Sequence, residues 1–210
     1  MKLLYQVGSL LMLGLKLQVY FIIKMLMGGI VLGVFPAFFG TFRIINECMN
    51  EKDIHHVYLK KELKKFDKQE FIKINKLGYL LVFLIYIVVL NLLISRQHLQ
   101  IGVLHWFIMF ILALVLSISL HAVAIFTKYD LPIRQYLIQG LLCSIIGIFE
   151  TIAIAIGIGL AIGLGLVIPP ISFFLGIPLI IFPHAWFTRA SIARLERVFY
   201  EKKIEIESRE

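Results

Sequence analysis

Eighteen consecutive residues without a formal charge lie between Lys24 and Arg43, in the stretch KMLMGGIVLGVFPAFFGTFR, and they constrain the chain more than any other feature. As one α-helix the segment would cover roughly 28 Å, close to the ~30 Å of a bilayer's hydrocarbon core, with the two cations at opposite faces. The stretch therefore predicts a membrane span over 25–42. Gly29, Gly33, Ala37 and Thr41 recur every fourth residue, a spacing that would align a small-residue ridge for close helix packing. Pro36 removes one backbone donor and would bend such a helix.

Composition agrees with this setting. The 210 residues are 60% hydrophobic and their mean hydropathy is +0.92, too apolar for a soluble globule. One membrane domain over 1–210 is expected. The net charge of +8 comes from basic residues outside the apolar runs, which reads as topology and not as a nucleic-acid surface. Cys48 and Cys143 show no ligand spacing, so neither a disulfide nor a metal site is implied, and no cofactor is expected. No small-residue cleavage site follows the amino-terminal apolar run, which is read as retained.

Residues Leu3–Leu15 are too few to cross and predict an interfacial helix. The loop 43–76 carries nine cations and is placed on the cytoplasmic side. Within it Leu59, Leu63, Phe66, Phe71, Ile72 and Ile74 form a partial stripe against lysines, which suits either an amphipathic helix on an anionic leaflet or a solvated linker helix. Further spans are expected over 77–94, 103–126, 138–162 and 171–187, with a short external turn near 163–170 and a cytoplasmic tail over 189–210. The fold class is thus all-α and polytopic, with about five spans, an external amino terminus and an internal carboxyl terminus. A second ridge, Gly147, Thr151, Ala155, Gly159 and Gly163, suggests that the first and fourth spans meet.

Glu150 stands alone between Arg134 and Arg189 and is the sharpest functional candidate. A carboxyl group in hydrocarbon must be neutral, hydrogen-bonded in the bundle or open to water, and Tyr86, Ser117 or the backbone near Gly33 and Pro178 are its expected partners. His121, near the inner end of its span, is a second polar candidate. Both a structural tie and a proton-linked or ligand-binding role for Glu150 fit these residues. No phosphate loop, nucleophile elbow, HExxH or paired-carboxylate pattern occurs, so no catalytic residue is assigned and no enzyme is expected.

Two stretches carry a family resemblance: GGIVLGVFPAFFGTFRIINE, with Gly33, Phe35, Pro36, Ala37 and Arg43, and FTKYDLPIRQYLIQGLL, with Tyr129, Asp130, Leu131 and Pro132. They resemble the YesL-like family of small bacterial integral membrane proteins. The resemblance implies a Gram-positive plasma membrane, an accessory or regulatory role beside carbohydrate uptake, and carbohydrate ABC-transporter components or self-association as partnerships, with the lipid bilayer as surroundings. It assigns no site residues. The alternative is a small transporter or channel working through Glu150.

Overall fold

The computed structural model describes residues 2–50, 62, 67–99 and 102–207. In order they form α1 (Lys2–Met27), α2 (Val34–Asn50), α3 (Lys68–Ile94) closed by a π-helical turn (Ser95–Leu99), α4 (Gly102–Lys128), α5 (Ile133–Ile146), α6 (Ile148–Val167) and α7 (Pro169–Glu207). The described residues contain no strand. Four segments, Lys68–Gln97, Gly102–Lys128, Ile148–Val167 and Pro169–Val198, are long and apolar enough to cross a membrane, and α5 is a shorter apolar helix. This is a polytopic all-α membrane protein. Helices suit that setting because hydrocarbon leaves backbone groups no partner except one another.

The stretch expected to cross at 25–42 does not form one helix. Ile30 N–H donates to Met25 O at 3.1 Å and Gly29 N–H to Leu26 O at 3.1 Å, the paired bonds that close a helix through a left-handed residue. Gly29 takes φ +78° and Ile30 follows at φ 51°. A side chain at Gly33 would put its Cβ 2.0 Å from Met25 O, so the reversal needs glycine there. Pro36 consequently falls in the first turn of α2, where its missing donor breaks no helical bond, and it bends nothing. Lys24 and Arg43, expected at opposite faces, both reach Glu62: Lys24 Nζ donates to its carbonyl at 3.2 Å and Arg43 Nη1 to its Oε1 at 2.9 Å. The span over 25–42 is a helical hairpin instead.

Contacts divide the chain into two compact units, residues 1–75 with 152–187 and residues 76–151 with 188–210. In the first, α1, α2, most of α6 and the first part of α7 pack around Leu17, Phe39, Phe42, Ile154 and Ile181. The predicted interfacial helix over Leu3–Leu15 is the beginning of α1, which runs on past Lys16 to Met27. Gly40 lets the Tyr20 ring lie against α2, since a Cβ there would be 2.4 Å from its hydroxyl. Between α6 and α7 the expected external turn shrinks to a bend at Ile168, with Pro169 at the first position of α7, where its fixed φ suits a helix start. α7 then continues through Pro178 and Pro183 beyond the predicted end at 187. Ile177 N–H donates to Gln18 Oε1 at 3.1 Å.

The ridge predicted on α6 lies one face away from the packed one. Among the described residues no atom lies within 4 Å of a Cβ added at Gly159 or Gly163, and Ala155 is exposed. The inward residues are Ile154, Gly157, Ala161 and Gly165; a Cβ on Gly157 would meet Pro183 at 2.7 Å, and one on Gly165 would meet Ser172 Oγ at 2.1 Å. On the first ridge Ala37 is buried, Gly29 faces open space and Gly33 serves the turn.

In the second unit, α4 and α5 pack closely at Gly140, whose Cβ would sit 2.9 Å from Ile118 O. The span expected over 138–162 is two helices, because α5 ends at Gly147 (φ −103°, ψ 41°). Gly147 N–H still donates to Cys143 O at 2.8 Å and Gly147 O accepts Thr151 N–H at 2.9 Å, so the chain redirects without orphaning those groups. α3 begins at Lys68, inside the expected loop: Asp67 Oδ1 accepts Gln69 N–H at 2.9 Å and caps it. Of the loop stripe, Phe71, Ile72 and Ile74 belong to α3, while Leu59, Leu63 and Phe66 lie outside the described residues.

The turn geometry gives a direct comparison. Gly33→Ala is expected to lower the thermal midpoint in detergent by the equivalent of about 1–3 kcal/mol, the usual cost of forcing atoms into occupied space. Gly159→Ala is expected to be neutral or to stabilise by up to roughly 1 kcal/mol through helix propensity. Equal damage from both would restore a packed ridge at Gly159.

Candidate functional site

Two polar clusters are built into otherwise apolar surroundings, one in each unit. In the second unit the residues converge from four helices: Ser117 and His121 on α4, Ser144 on α5, Glu150 and Thr151 on the first turn of α6, and Ser191 and Arg194 on α7. His121 is fully buried, its Nδ1 3.0 Å from Ser117 O. A carbonyl only accepts, so the ring carries its proton on Nδ1 and, when neutral, offers Nε2 as acceptor to the Ser191 hydroxyl 3.3 Å away. Ser144 Oγ lies 3.4 Å from Nδ1 and donates to Gly140 O at 2.8 Å. Ser117 Oγ donates to Thr151 Oγ1 at 3.3 Å. Gly147 makes room for this arrangement, since a Cβ there would lie 2.4 Å from Ser191 Oγ.

Glu150 completes the cluster. Its Oε1 is 2.8 Å from Arg194 Nη2, and the two side chains differ sharply in exposure, 8% for Glu150 against 52% for Arg194. Its Oε2 is buried and has no hydrogen-bond partner among the described residues. The lone carboxylate between Arg134 and Arg189 is therefore charge-paired, and its partner is none of those expected. Ser117 reaches the neighbouring Thr151. Tyr86 is 57% exposed on an outward aromatic face of α3 with Tyr79 and Phe83, and the structure does not bring it into the cluster. His121 does belong to it. Arg194 and Ser191 escaped sequence reasoning because the last span was ended near 187 and the remainder read as a tail. A signal was present: Thr188, Ser191 and Leu195 recur at helical spacing and are all buried, which marks a continuing inward face.

In the first unit, Arg43 joins Glu62 and Glu70, the second contact being the closer. Burial alone would pull the guanidinium pKa down, but hydrogen bonds and charge attraction to Glu70 and Glu62 outweigh it and hold the pKa above the ordinary arginine value. With Tyr20, Lys24 and Asp67 these groups line a small cavity of about 40 Å³. The Tyr20 hydroxyl is buried without a hydrogen-bond partner among the described residues. Burial, and after it the negative charge of Glu62, pushes this phenol well above the usual tyrosine range. Among the described residues no group of three or more His, Cys, Asp or Glu could hold a metal.

The fold and clusters define a polytopic helical membrane protein with buried, internally paired polar groups. Residues 15–92 match the model of a family described as a protein of unknown function, DUF624, a match that runs from within α1 to near the end of α3. No curated protein and no solved structure matches the chain.

The exposure difference between Glu150 and Arg194 makes their substitutions unequal. Arg194→Gln strands a buried carboxylate and is expected to cost about 1–3 kcal/mol, whereas Glu150→Gln releases an arginine already half in solvent and is expected to cost less. Thermal midpoints of the two purified variants check the ordering, and the reverse order would mean that the pair is not held as described.

Tyr20→Phe removes a hydroxyl with no partner and is expected to be neutral or stabilising at neutral pH. Because the folded-state pKa of Tyr20 lies above the unfolded value, its effect on stability is constant below the ordinary phenol pKa of about 10 and turns unfavourable as pH rises above it, where only the unfolded chain ionises. Midpoints measured from neutral pH upward should show the wild type losing stability relative to Tyr20→Phe on the alkaline limb. Parallel curves would contradict the buried, unpaired phenol.

Proposed function

We propose that the protein is a YesL-like multi-pass component of the plasma membrane that serves carbohydrate uptake as an accessory or regulatory partner, and that it neither carries solute nor catalyses a reaction. The observation that carries this reading is the engagement of Glu150. The one carboxylate suited to a carrier's work is buried and bound to Arg194, which suits a tie between α6 and α7 better than a group that loads and releases a ligand. The carbohydrate setting rests on the sequence resemblance. The family match over 15–92 contains the first of the two stretches behind that resemblance, and the second, Phe126–Leu142, lies beyond it. The fitting partners are carbohydrate ABC-transporter components or a second copy. The rival, a small transporter, draws on the buried Oε2 of Glu150 that lacks a partner.

Tagged protein isolated from native membranes should bring transporter components with it, and the purified chain in proteoliposomes should move no sugar. A folded Glu150→Gln variant that keeps its partners yet abolishes carbohydrate-dependent growth would put the transporter reading first.

The basic segment before α3 is the basis for placing that end in the cytoplasm. Cysteines at the exposed positions Gln69 and Gln97, in a background without Cys48 and Cys143, are expected to label differently in intact cells with an impermeant thiol reagent, only the second reacting. Labelling confined to the first would invert the orientation.

A further inference from the structure

Within the first unit the α1–α2 hairpin, α6 and the first part of α7 line an apolar cavity of about 710 Å³ that is open to the surface. Gly14, Gly157 and Ala161 are among its walls, and at the two glycines the missing Cβ admits Leu175 and Pro183 of α7 to close contact. Leu160, Leu164 and Phe182 line it while remaining exposed on the outer surfaces of α6 and α7. The cavity is therefore continuous with those surfaces.

We propose that this cavity holds an acyl chain of a bilayer phospholipid. Water is a poor occupant, since no charged side chain among the described residues lines the cavity and buried water needs two to four polar partners. Vacancy is worse. Apolar walls with nothing against them forfeit the dispersion contacts that packing supplies. The source of a filler follows from the walls. α6 and α7 have the length and hydropathy of membrane spans, and their outward faces meet lipid chains. The exposed Leu160, Leu164 and Phe182 carry that lipid-facing surface inward without a polar break. The uncharged lining suits the hydrocarbon chain and leaves the headgroup outside.

Full-length protein extracted in polymer-bounded nanodiscs, then transferred to mild detergent, can be weighed intact by native mass spectrometry with its bound lipids identified. The wild type is expected to retain one phospholipid per chain through washing that strips peripheral lipid, and so is Ala155→Phe, which adds the same bulk on the exposed face of α6. Ala161→Phe and Met49→Trp fill the cavity from two different walls and should reduce the retained phospholipid to background while keeping wild-type helical content. A wild type that carries no phospholipid would overturn the proposal. So would retention at the wild-type level in either filled variant, or an isoprenoid or a polypeptide found in the phospholipid's place.

Discussion

A charge in apolar surroundings has to find its opposite, and this requirement organises both halves of the protein. In the first unit it gathers Arg43, Glu62 and Glu70 at the base of the α1–α2 hairpin, with Lys24 on the same segment through the Glu62 carbonyl. In the second it ties Glu150 on α6 to Arg194 on α7. Neither arrangement is a surface ion pair of negligible worth, because one partner in each is largely removed from water and would be costly to leave alone. The arginines differ in how they can respond, since Arg194 stays half in solvent while Arg43 is mostly enclosed. Pairs of this kind fix which helices lie together.

Small residues do a different job from the one their spacing suggests. Regular four-residue recurrence describes a face, yet only the backbone geometry decides whether that face meets another helix. Gly28 and Gly29 end a helix, Gly33 closes the turn against Met25, and Gly147 ends α5 while admitting Ser191. On α6 the packed face carries Gly157 and Gly165, and the longer series of Gly159 and Gly163 looks outward. Glycine thus acts here at chain reversals and at single close contacts, where its missing Cβ matters most.

Much of the architecture is legible in composition and hydropathy. The all-α polytopic class and the apolar runs that become α3, α4, α6 and α7 follow from long uncharged segments and their few polar interruptions. The candidate site was half legible. Glu150 stands out because a charge in an apolar run is rare, but its partner lies 44 positions away on a helix that the prolines at 178 and 183 made easy to end too soon.

What the amino-acid sequence determined by itself was therefore the medium and the material: a membrane chain, helical, with one carboxylate inside an apolar run that had to be compensated. Tertiary structure alone decided where the helices stop and which side chains meet. Hydropathy counts residues against a thickness and is blind to a left-handed glycine, so it joined 25–42 into a span where two paired backbone bonds turn the chain back. Partner choice depends on distance between helices far apart in sequence. That quantity exists only once Lys24 and Arg43 have been folded to the same carboxylate residue, and Arg194 to Glu150.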